Sequence, residues 1–337
     1  MTNIIVTGGC GFIGSNICEF LKKKKFNVIS VDNLSKNYSK INQKRLSKLK
    51  IRNYRLNIYK KNFLNLRFKA KFIIDCCADP SVESSRVNRV ANINNNLITT
   101  LNVLEKAKRD KSKVIFLSTS RVYPVQDSYK KFIKSKKNNF FDENSNIVGA
   151  KTIYGYTKIS SEMLINEFNY AFGLEYIINR CGLVTGPWQF GRVEQGLISL
   201  WLWNHLDKKE NNLSYKGYGG SGKQIRDVLF IDDLKLLIYK QIKKFNKLKN
   251  NTFTVGGGYK NTINLIELTK ICQQLTGNKI KIRKSKSTSI YDIPFYITSS
   301  KKLKKYCGWE PKVDLYVGIK QLKNWMKINY NLIRPFF

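Results

Sequence analysis

The chain has 337 residues, which is enough for one large domain or two medium ones with a sizeable core. Its 61 Lys and Arg residues against 23 Asp and Glu residues give a formal net charge of +38 at pH 7. Most of this charge comes from lysines scattered along the chain, so it predicts a solvated basic surface that attracts anionic ligands, and no nucleic-acid partner is expected.

Cysteine and histidine usage excludes several kinds of site. The seven cysteines form no CxxC pair and no cysteine–histidine cluster, so neither a metal site nor a disulfide framework is predicted. The single histidine, His205, lies in LWLWNHL, where a core position is favoured, and this argues against histidine triads. With no signal-peptide pattern and no apolar run of about 18 residues, we expect a cytoplasmic protein with reduced thiols and no membrane segment.

Short β-rich runs alternate with helical patterns through the first half of the chain. In order, they are NIIVTG, the helix SNICEFLKKKK, NVISVD, FIIDCCA, the helix LITTLNVLEKAKR and KVIFLST. TIYGYTKISSEMLINEFNYAFG then predicts a long helix, and EYIINRCGLVTG predicts another strand. Strands buried on both faces and separated by helices are typical of an α/β fold with a Rossmann-type, doubly wound parallel sheet.

The order loosens from about residue 185. GPWQFGRVEQG, a tryptophan-rich helix, the Gly-rich GYGGSGKQIRD and a lysine-rich helix near 234–250 follow. We predict a first domain over 1–184 that carries the catalytic residues and a smaller α/β substrate-binding domain over 185–337, with interleaving of the two left open. The basic segment YKKFIKSKKNN (129–139) is interpreted as an inserted loop.

A glycine-rich loop connects the first strand to the first helix. TGGCGFIGSN places Gly8, Gly11 and Gly14 there, which lets the backbone approach a pyrophosphate at the helix N-terminus. Asp32 ends the next strand 18 residues after Gly14, close to the spacing at which a carboxylate accepts ribose hydroxyls. Because a carboxylate there repels a 2′-phosphate, NAD is favoured over NADP as the cofactor.

Tyr154 and Lys158 in YGYTK lie one helical turn apart on the same face. A lysine ammonium beside the tyrosine lowers the pKa of its hydroxyl, which then takes a proton from a substrate hydroxyl as hydride leaves the same carbon. YxxxK alone is common by chance. Together with the glycine loop and a strand that ends in Ser and Thr, it resembles the extended short-chain dehydrogenase/reductases, the NAD-dependent sugar-nucleotide epimerases and dehydratases.

The resemblance covers nearly the whole chain. Further matching segments are PSV (80–82), NLITTLNVLEKA (96–107), RCGLVTGP (180–187), QIRD (224–227) and GWEP (308–311). The resemblance implies that Thr119 hydrogen-bonds the reacting oxygen and helps Tyr154 orient it. It also implies that the cofactor site, beyond the three glycines and Asp32, contains Phe12, Ile13, Asn33, Ala78 and Asn96.

Arg121 follows Thr119 by two positions. The 4,6-dehydratases of the family carry an aspartate and a glutamate after that threonine, because elimination of water needs a further acid and base. This chain has Ser120 and Arg121 instead. Because arginine is not a general acid near neutral pH, dehydration is disfavoured, and oxidation followed by re-reduction is favoured. Arg121 is predicted either to contact the substrate or to form an ion pair or a cap outside the site.

The second half resembles one group within the family, the CDP-paratose 2-epimerases (CDP-tyvelose epimerases). The similar segments are 186–196, 222–229 and 255–268. This resemblance implies inversion at C2 of a CDP-linked deoxyhexose through a keto intermediate, with NAD bound between turnovers. The residues implied to bind the nucleotide sugar, in addition to Arg121, are Arg226 at the diphosphate and Gln189, Phe190, Gln195 and Gly196 around the sugar. A well-packed interdomain loop is the alternative role for these last four.

Three positions depart from the family pattern. Leu183 replaces an asparagine of many 4-epimerases, Ser289 replaces a C-terminal arginine, and Asp75 replaces a histidine. Arg283 or a nearby lysine is a candidate to compensate for the missing arginine. These departures concern the identity of the substrate more than the cofactor or the fold.

Two other functions are kept as alternatives. One is a 4-epimerase or dehydrogenase acting on a UDP-sugar or another nucleotide sugar, and the other is a non-catalytic NAD-sensing or nucleic-acid-associated member. The presence of Thr119, Tyr154 and Lys158 favours an enzyme. The resemblance also implies a homodimer, in which the YxxxK helix and the NLITTLNVLEKA helix of each subunit form a four-helix contact.

Overall fold

The computed structural model describes residues 1–133, 139–191 and 196–337. The strands are β1 (Asn3–Thr7), β2 (Asn27–Val31), β3 (Asn53–Tyr54), β4 (Phe72–Asp75), β5 (Lys113–Thr119), β6 (Tyr176–Cys181), β7 (Leu183–Thr185), β8 (Ser214–Lys216), β9 (Ile225–Phe230), β10 (Asn251–Val255), β11 (Thr262–Ile263), β12 (Arg283–Ser285) and β13 (Phe295–Tyr296). The helices are α1 (Phe12–Lys23), α2 (Ser39–Lys48), α3 (Val82–Val87), α4 (Arg89–Ile93), α5 (Thr99–Asp110), α6 (Val125–Ile133), α7 (Ile153–Phe172), α8 (Leu197–Leu206), α9 (Ile231–Lys243), α10 (Phe245–Leu248), α11 (Leu265–Thr276), α12 (Lys301–Cys307), α13 (Leu315–Ile328) and α14 (Tyr330–Ile333). A π-helical turn at Asn94–Ile98 joins α4 to α5.

Seven strands of the described ranges form one large parallel sheet in the order β10-β6-β5-β4-β1-β2-β3. Ile5 of β1, for example, lies between Ile29 of β2 and Ile73 of β4. The strands carry consecutive buried apolar residues because helices cover both faces, α1 and α9 on one and α5 and α7 on the other. The predicted α/β fold with a doubly wound parallel sheet is confirmed. Its order reverses between β1 and β4, and sheets of this kind bind ligands in the crevice at that reversal.

The smaller part of the molecule is built around β9. This strand pairs in parallel with β7 and β13 and antiparallel with β11, while β8 pairs with β12 separately. Between β9 and β11 the chain returns to the large sheet, where α9 packs in the core and β10 adds an edge strand beside β6. Residues after 184 therefore contribute to both parts, and the domain boundary at that position stays a prediction.

The tryptophan-rich helix α8 lies inside a second core, formed with α11 and α13. Trp203 and His205 are fully buried, and the His205 Nδ1 lies 2.8 Å from the Trp201 carbonyl oxygen. Burial lowers the pKa of His205, so its ring occupies a core position in the neutral form. Within the described ranges, no helix combines the length and the apolar character that a membrane crossing requires.

The basic segment interpreted as an inserted loop begins as a helix. Residues 129–133 lie in α6, and Ser128 of this helix fixes it to β13. The Ser128 hydroxyl donates to the Phe295 carbonyl oxygen at 2.6 Å and accepts from the Phe295 amide at 3.1 Å. The loop prediction is wrong for 129–133, because a contact with a distant strand outweighs the local charge pattern. Residues 134–138 lie outside the described ranges.

Candidate active site

The loop after β1 folds as a tight turn against the start of α1. Gly8 has a φ of +61°, in the left-handed region that favours glycine. A Cβ on Gly14 would lie 2.2 Å from the Gly8 carbonyl oxygen, so only glycine lets the helix pack this closely on the turn. Gly11 is the N-cap residue and makes no side-chain cap bond, while Phe12 and Ile13 begin the helix and pack against the core. The helix N-terminus thus presents its amides to a phosphate.

Asp32 connects the end of β2 to this glycine turn. Its Oδ2 accepts a hydrogen bond from the Cys10 amide at 3.0 Å, and its Oδ1 accepts one from the Leu34 amide at 2.8 Å. Burial raises the pKa of Asp32, and the two backbone hydrogen bonds oppose that rise. The neighbouring Asn33 shapes the loop, since its amide donates to the Asn57 Oδ1 at 2.7 Å. The carboxylate therefore lies beside the turn that is suited to a pyrophosphate.

Asn96 holds the loop that follows β4. It is fully buried in the π-helical turn. Its Oδ1 accepts from the Asp79 amide at 2.8 Å, and its Nδ2 donates to the Asn92 Oδ1 at 3.0 Å. Ala78 precedes Asp79 in this loop, so Asn96 fixes the backbone on which Ala78 lies, at the edge of the crevice between β1 and β4.

Asp75 joins three elements at the carboxyl end of β4. Its carboxylate accepts hydrogen bonds from the Thr7 hydroxyl at 2.6 Å, the Cys77 amide at 3.1 Å and the Thr100 hydroxyl at 3.3 Å. Sequence analysis noted Asp75 only as a departure from a family pattern. The signal for its role was an acid at the end of a fully apolar strand, where a buried carboxylate needs several donors.

The predicted catalytic residues come together at the ends of β5 and the start of α7. Thr119, Tyr154 and Lys158 are all buried, and the Thr119 hydroxyl lies near enough to Tyr154 to lower the pKa of its hydroxyl. Gly155 makes this approach possible, because a Cβ there would lie 2.3 Å from the Arg121 carbonyl oxygen. The first turn of α7 therefore packs directly on the backbone that follows β5.

The Tyr154 hydroxyl lies in an environment that opposes its ionisation. Burial raises the pKa of Tyr154 to about 12, and the Thr119 hydroxyl and the Arg121 charge oppose this rise. The Arg121 guanidinium is therefore one positive charge that favours the phenolate, and the same role predicted for Lys158 stays a prediction.

Lys158 is buried and its ammonium group lacks an acceptor among the described residues, which suits a bound ribose. Its ammonium is 3.8 Å from the centroid of the Phe116 ring, and the Nζ has no hydrogen-bond partner within the described residues. Burial lowers the pKa of Lys158, and the charge of Asp75 opposes this. A buried cation without acceptors is costly, and the hydroxyl oxygens of a nicotinamide riboside would supply them. With the glycine turn and Asp32, this unpaired ammonium fits NAD.

A buried ion pair supports the ends of β5 and β6. The Arg180 Nη2 and Nε lie 2.8 Å and 3.0 Å from the Glu162 Oε2, and both side chains are less than 10% exposed. The Ser118 hydroxyl, next to Thr119, also donates to Glu162. This pair was not predicted from the sequence. Its signal was a charged residue in the apolar strand YIINRC, because a buried arginine needs a paired acid.

Arg121 and Arg226 meet at one short segment of the chain. The Arg121 Nη1 donates to the Tyr291 carbonyl oxygen at 2.9 Å. The Arg226 Nη2 donates to the Ile293 carbonyl oxygen and lies 3.8 Å from the Asp292 Oδ1. Both guanidinium groups are therefore held on either side of Asp292.

Gln189 and Phe190, which are predicted to line the sugar pocket, are packed in this structure. The Gln189 Oε1 accepts from Thr185 and Ser199, each at 2.9 Å, and Phe190 stacks on Tyr38 with 5.4 Å between ring centroids. Gly196 begins α8 with a φ of +76°. Gln195 lies outside the described residues. The sugar-binding roles of these residues stay predictions, and the contacts of Gln189 and Phe190 hold the loop in place.

The fold and these side chains define a class of protein, an enzyme with a Rossmann-type sheet and a Thr–Tyr–Lys site beside a dinucleotide crevice. Residues 4–256 match the model of the NAD dependent epimerase/dehydratase family, and the chain belongs to that family. It is therefore an NAD-dependent enzyme of the sugar-nucleotide epimerase and dehydratase class, as predicted.

Three similar proteins illustrate the range within this family. The CDP-paratose 2-epimerase of Salmonella typhi is 27% identical, over 96% of this chain and 98% of its own. A putative UDP-glucose 4-epimerase of Methanocaldococcus jannaschii is 31% identical, over 97% of this chain and 99% of its own. The crystal structure of the Thermotoga maritima UDP-glucose 4-epimerase with UDP-glucose superposes with a TM-score of 0.83 at 26% identity, over 97% and 99% of the two chains.

Proposed function

We propose that this protein is a nucleotide-sugar epimerase that inverts C2 of a CDP-linked deoxyhexose through a keto intermediate. The observation that carries the proposal is the buried Thr119–Tyr154–Lys158 group with Arg121, instead of an acid, two residues after the threonine. This set serves proton transfer to and from one hydroxyl and lacks a carboxylate at 120 or 121 for the elimination of water. Similarity to a CDP-paratose 2-epimerase over 96% of the chain supports the choice of C2 and of CDP.

In this mechanism the chain moves one proton and holds one oxygen. Tyr154 accepts the proton of the substrate hydroxyl, while the Thr119 hydroxyl donates a hydrogen bond to the same oxygen and stabilises the charge that develops there. Lys158 holds the ribose next to Tyr154 and adds positive charge. NAD, when bound, supplies the acceptor and donor of hydride, so no net cofactor is consumed.

The cofactor and substrate residues predicted from sequence are proposed for these roles. For NAD they are Gly8, Gly11, Phe12, Ile13, Gly14, Asp32, Asn33, Ala78 and Asn96. For the nucleotide sugar they are Arg121, Gln189, Phe190, Gln195, Gly196 and Arg226. The division into a cofactor domain over 1–184 and a mainly substrate-binding part over 185–337 is proposed with them, with the α9–β10 segment assigned to the large sheet.

We propose that the protein forms a homodimer in which the outer face of α7 contacts the second subunit. Tyr156, Met163 and Tyr170 lie seven residues apart on this helix, and each is at least 48% exposed. Val90 and Ile93 of α4 are also exposed. Apolar side chains repeated at this spacing form a stripe that a second copy of the same helices would cover. The seven free cysteines support a reducing, cytoplasmic location.

The second candidate is a 4-epimerase acting on a UDP-sugar, which the 31% identity with a putative UDP-glucose 4-epimerase favours. The two candidate functions are distinguished by incubating the purified protein with CDP- and UDP-sugars without added NAD and identifying the products by NMR. A 2-epimer of a CDP-sugar is the expected product, and a 4-epimer would support the alternative. Accumulation of NADH when NAD is supplied would contradict both epimerase assignments.

A further inference from the structure

Two guanidinium groups from distant parts of the chain lie next to each other in the smaller part of the molecule. Arg121 lies just after β5 and Arg226 in β9. Residues 291–293 hold both, because Tyr291 and Ile293 accept a hydrogen bond from one arginine each. The two side chains are therefore fixed at backbone positions only two residues apart.

The acids around these two arginines are shared unequally, because Asp292 acts on both and Asp227 acts on Arg226. The negative charge of Asp292 acts on both arginines, and its Oδ2 also accepts a hydrogen bond from the Gln224 side-chain Nε2 at 3.3 Å. Burial lowers the pKa of Arg226 to about 10, and the charge of Arg121 acts in the same direction. The adjacent Asp227 points to the opposite face of β9, where the Gly258 and Thr298 amides donate to its Oδ2. Asp292 is thus the acid that the two partly buried cations have in common, and a bound anion at this point would relieve the repulsion between them.

Among the described residues, most N–H donors of these two guanidinium groups make no hydrogen bond. Each guanidinium carries five N–H donors in a planar fork, which matches the oxygens of a phosphate. Arg121 donates one hydrogen bond to the Tyr291 carbonyl oxygen, and Arg226 donates one each to the carbonyl oxygens of Ile293 and Ile225. The remaining donors of the two arginines are enough for several phosphate oxygens.

The arginine pair is linked to the Thr119–Tyr154 site through Arg121 and to a cavity of about 450 Å³ through Asp292. The Arg121 amide donates to the Thr119 Oγ1 at 3.2 Å, which ties this arginine to the catalytic end. On the other side, Asp292 lines the cavity together with Tyr129 and Tyr218. The volume of this cavity is within the range of sites that bind small ligands, and two aromatic side chains line it. A diphosphate that joins a sugar at Tyr154 to a nucleoside in the cavity would pass the two arginines.

We propose that Arg121 is the second guanidinium of a two-arginine clamp on the diphosphate of the nucleotide sugar, together with Arg226. This inference rests on the proposed function. It also assigns a replacement for the C-terminal arginine whose place is taken by Ser289. Arg283, named as a candidate from sequence, is exposed in β12. Arg121 thereby fixes the distance between the diphosphate and the Tyr154 hydroxyl.

The test measures the binding of CDP and UDP to the NAD-loaded protein by calorimetry. Arg121→Gln should weaken the binding of whichever nucleoside diphosphate the wild-type protein binds by about 10- to 100-fold, and Arg121→Lys by less, because lysine keeps the charge but loses the fork. Arg226→Gln should weaken binding by a similar factor. Arg283→Gln is the matched control and should change binding by less than about twofold, since its side chain is exposed.

Melting temperatures of the unliganded variants separate a clamp from a structural role. Under the clamp, Arg121→Gln and Arg121→Lys melt within a few degrees of the wild-type protein and retain NAD. Unchanged binding in a folded Arg121→Gln protein would overturn the inference while leaving the proposed function intact. Equal losses of binding in Arg121→Gln and Arg121→Lys, together with a large fall in melting temperature, would also overturn it. A wild-type protein that binds neither CDP nor UDP would overturn the proposed function as well.

Discussion

At the crevice between β1 and β4, contacts join neighbouring strands of one sheet, such as Asp32 with Cys10 and Asp75 with Thr7. Around β9, by contrast, Arg121 bonds to a carbonyl oxygen 170 residues further along the chain. The region proposed to bind the cofactor (the cofactor region) is therefore set by backbone turns and strand ends, and the region around β9 proposed to bind the substrate (the substrate region) by side chains that tertiary packing brings together. Substitutions in the first region should remove NAD, and those in the second should leave NAD bound.

Tyr154 lies where the cofactor region and the substrate region meet, and Tyr154→Phe should have the largest effect on turnover. Turnover is expected to fall about 10²- to 10⁴-fold, because the proton acceptor is lost while the ring stays packed. The NAD content, measured as nucleotide released on denaturation, should not change. Tyr156→Phe on the same helix is the control, since this tyrosine is 48% exposed. Unchanged turnover in Tyr154→Phe would refute the proton-transfer role.

Glu162→Gln tests the buried Arg180–Glu162 ion pair, which lies at the ends of β5 and β6. It should lower the free energy of unfolding by about 3–5 kcal/mol, because Arg180 would remain buried without a charged partner. Denaturant unfolding at neutral pH measures the loss. Glu167→Gln, at an exposed position of α7, is the control and should cost no more than about 0.5 kcal/mol. If both variants are equally stable, the ion pair does not hold the ends of β5 and β6.

Asp227→Asn tests the substrate region through its pH dependence. Burial raises the pKa of Asp227 to about 6, above its ordinary value of 3.8, so the folded state holds this proton more tightly than the unfolded state. The contribution of Asp227 to stability is full below pH 4 and is lost as the pH rises through 6. Relative to the wild-type protein, Asp227→Asn should therefore gain about 2–3 kcal/mol between pH 4 and pH 7.

Parallel pH dependences of unfolding in Asp227→Asn and the wild-type protein would contradict this shift. Asparagine suits the site because its oxygen can accept from the Gly258 and Thr298 amides, which both donate to the Asp227 Oδ2. The NAD content should stay unchanged, as expected for a residue of the substrate region.

Gly14→Ala tests the cofactor region, with Gly11→Ala as its matched partner. A methyl group on Gly14 would lie 2.2 Å from the Gly8 carbonyl oxygen, whereas one on Gly11 would lie 3.2 Å from the same atom. Gly14→Ala should cost about 1–3 kcal/mol and release NAD, because the turn must open. Gly11→Ala should cost less and retain more NAD. Equal NAD content in the two variants would contradict a cofactor site built from the backbone.

The same contrast explains what could be predicted from the sequence. The glycine loop, Asp32 and the alternation of strands and helices are local patterns, and they predict the sheet and the cofactor crevice. Residues 129–133 were wrongly predicted as a loop, because the prediction relied on their lysines and the sequence does not show that Ser128 contacts Phe295. The proximity of Arg121 and Arg226 could not be predicted, because both arginines are held by residues 291–293 and no local sequence pattern relates either arginine to that segment.

The most direct test of the central claim follows one hydrogen atom. The purified protein, without added NAD, is incubated in ordinary water with a CDP-deoxyhexose that carries deuterium at C2, and the product is analysed by NMR. Oxidation and re-reduction with one bound NAD predicts a 2-epimer that retains the deuterium at C2. A 2-epimer in which hydrogen from water replaces the deuterium would contradict hydride transfer as the mechanism.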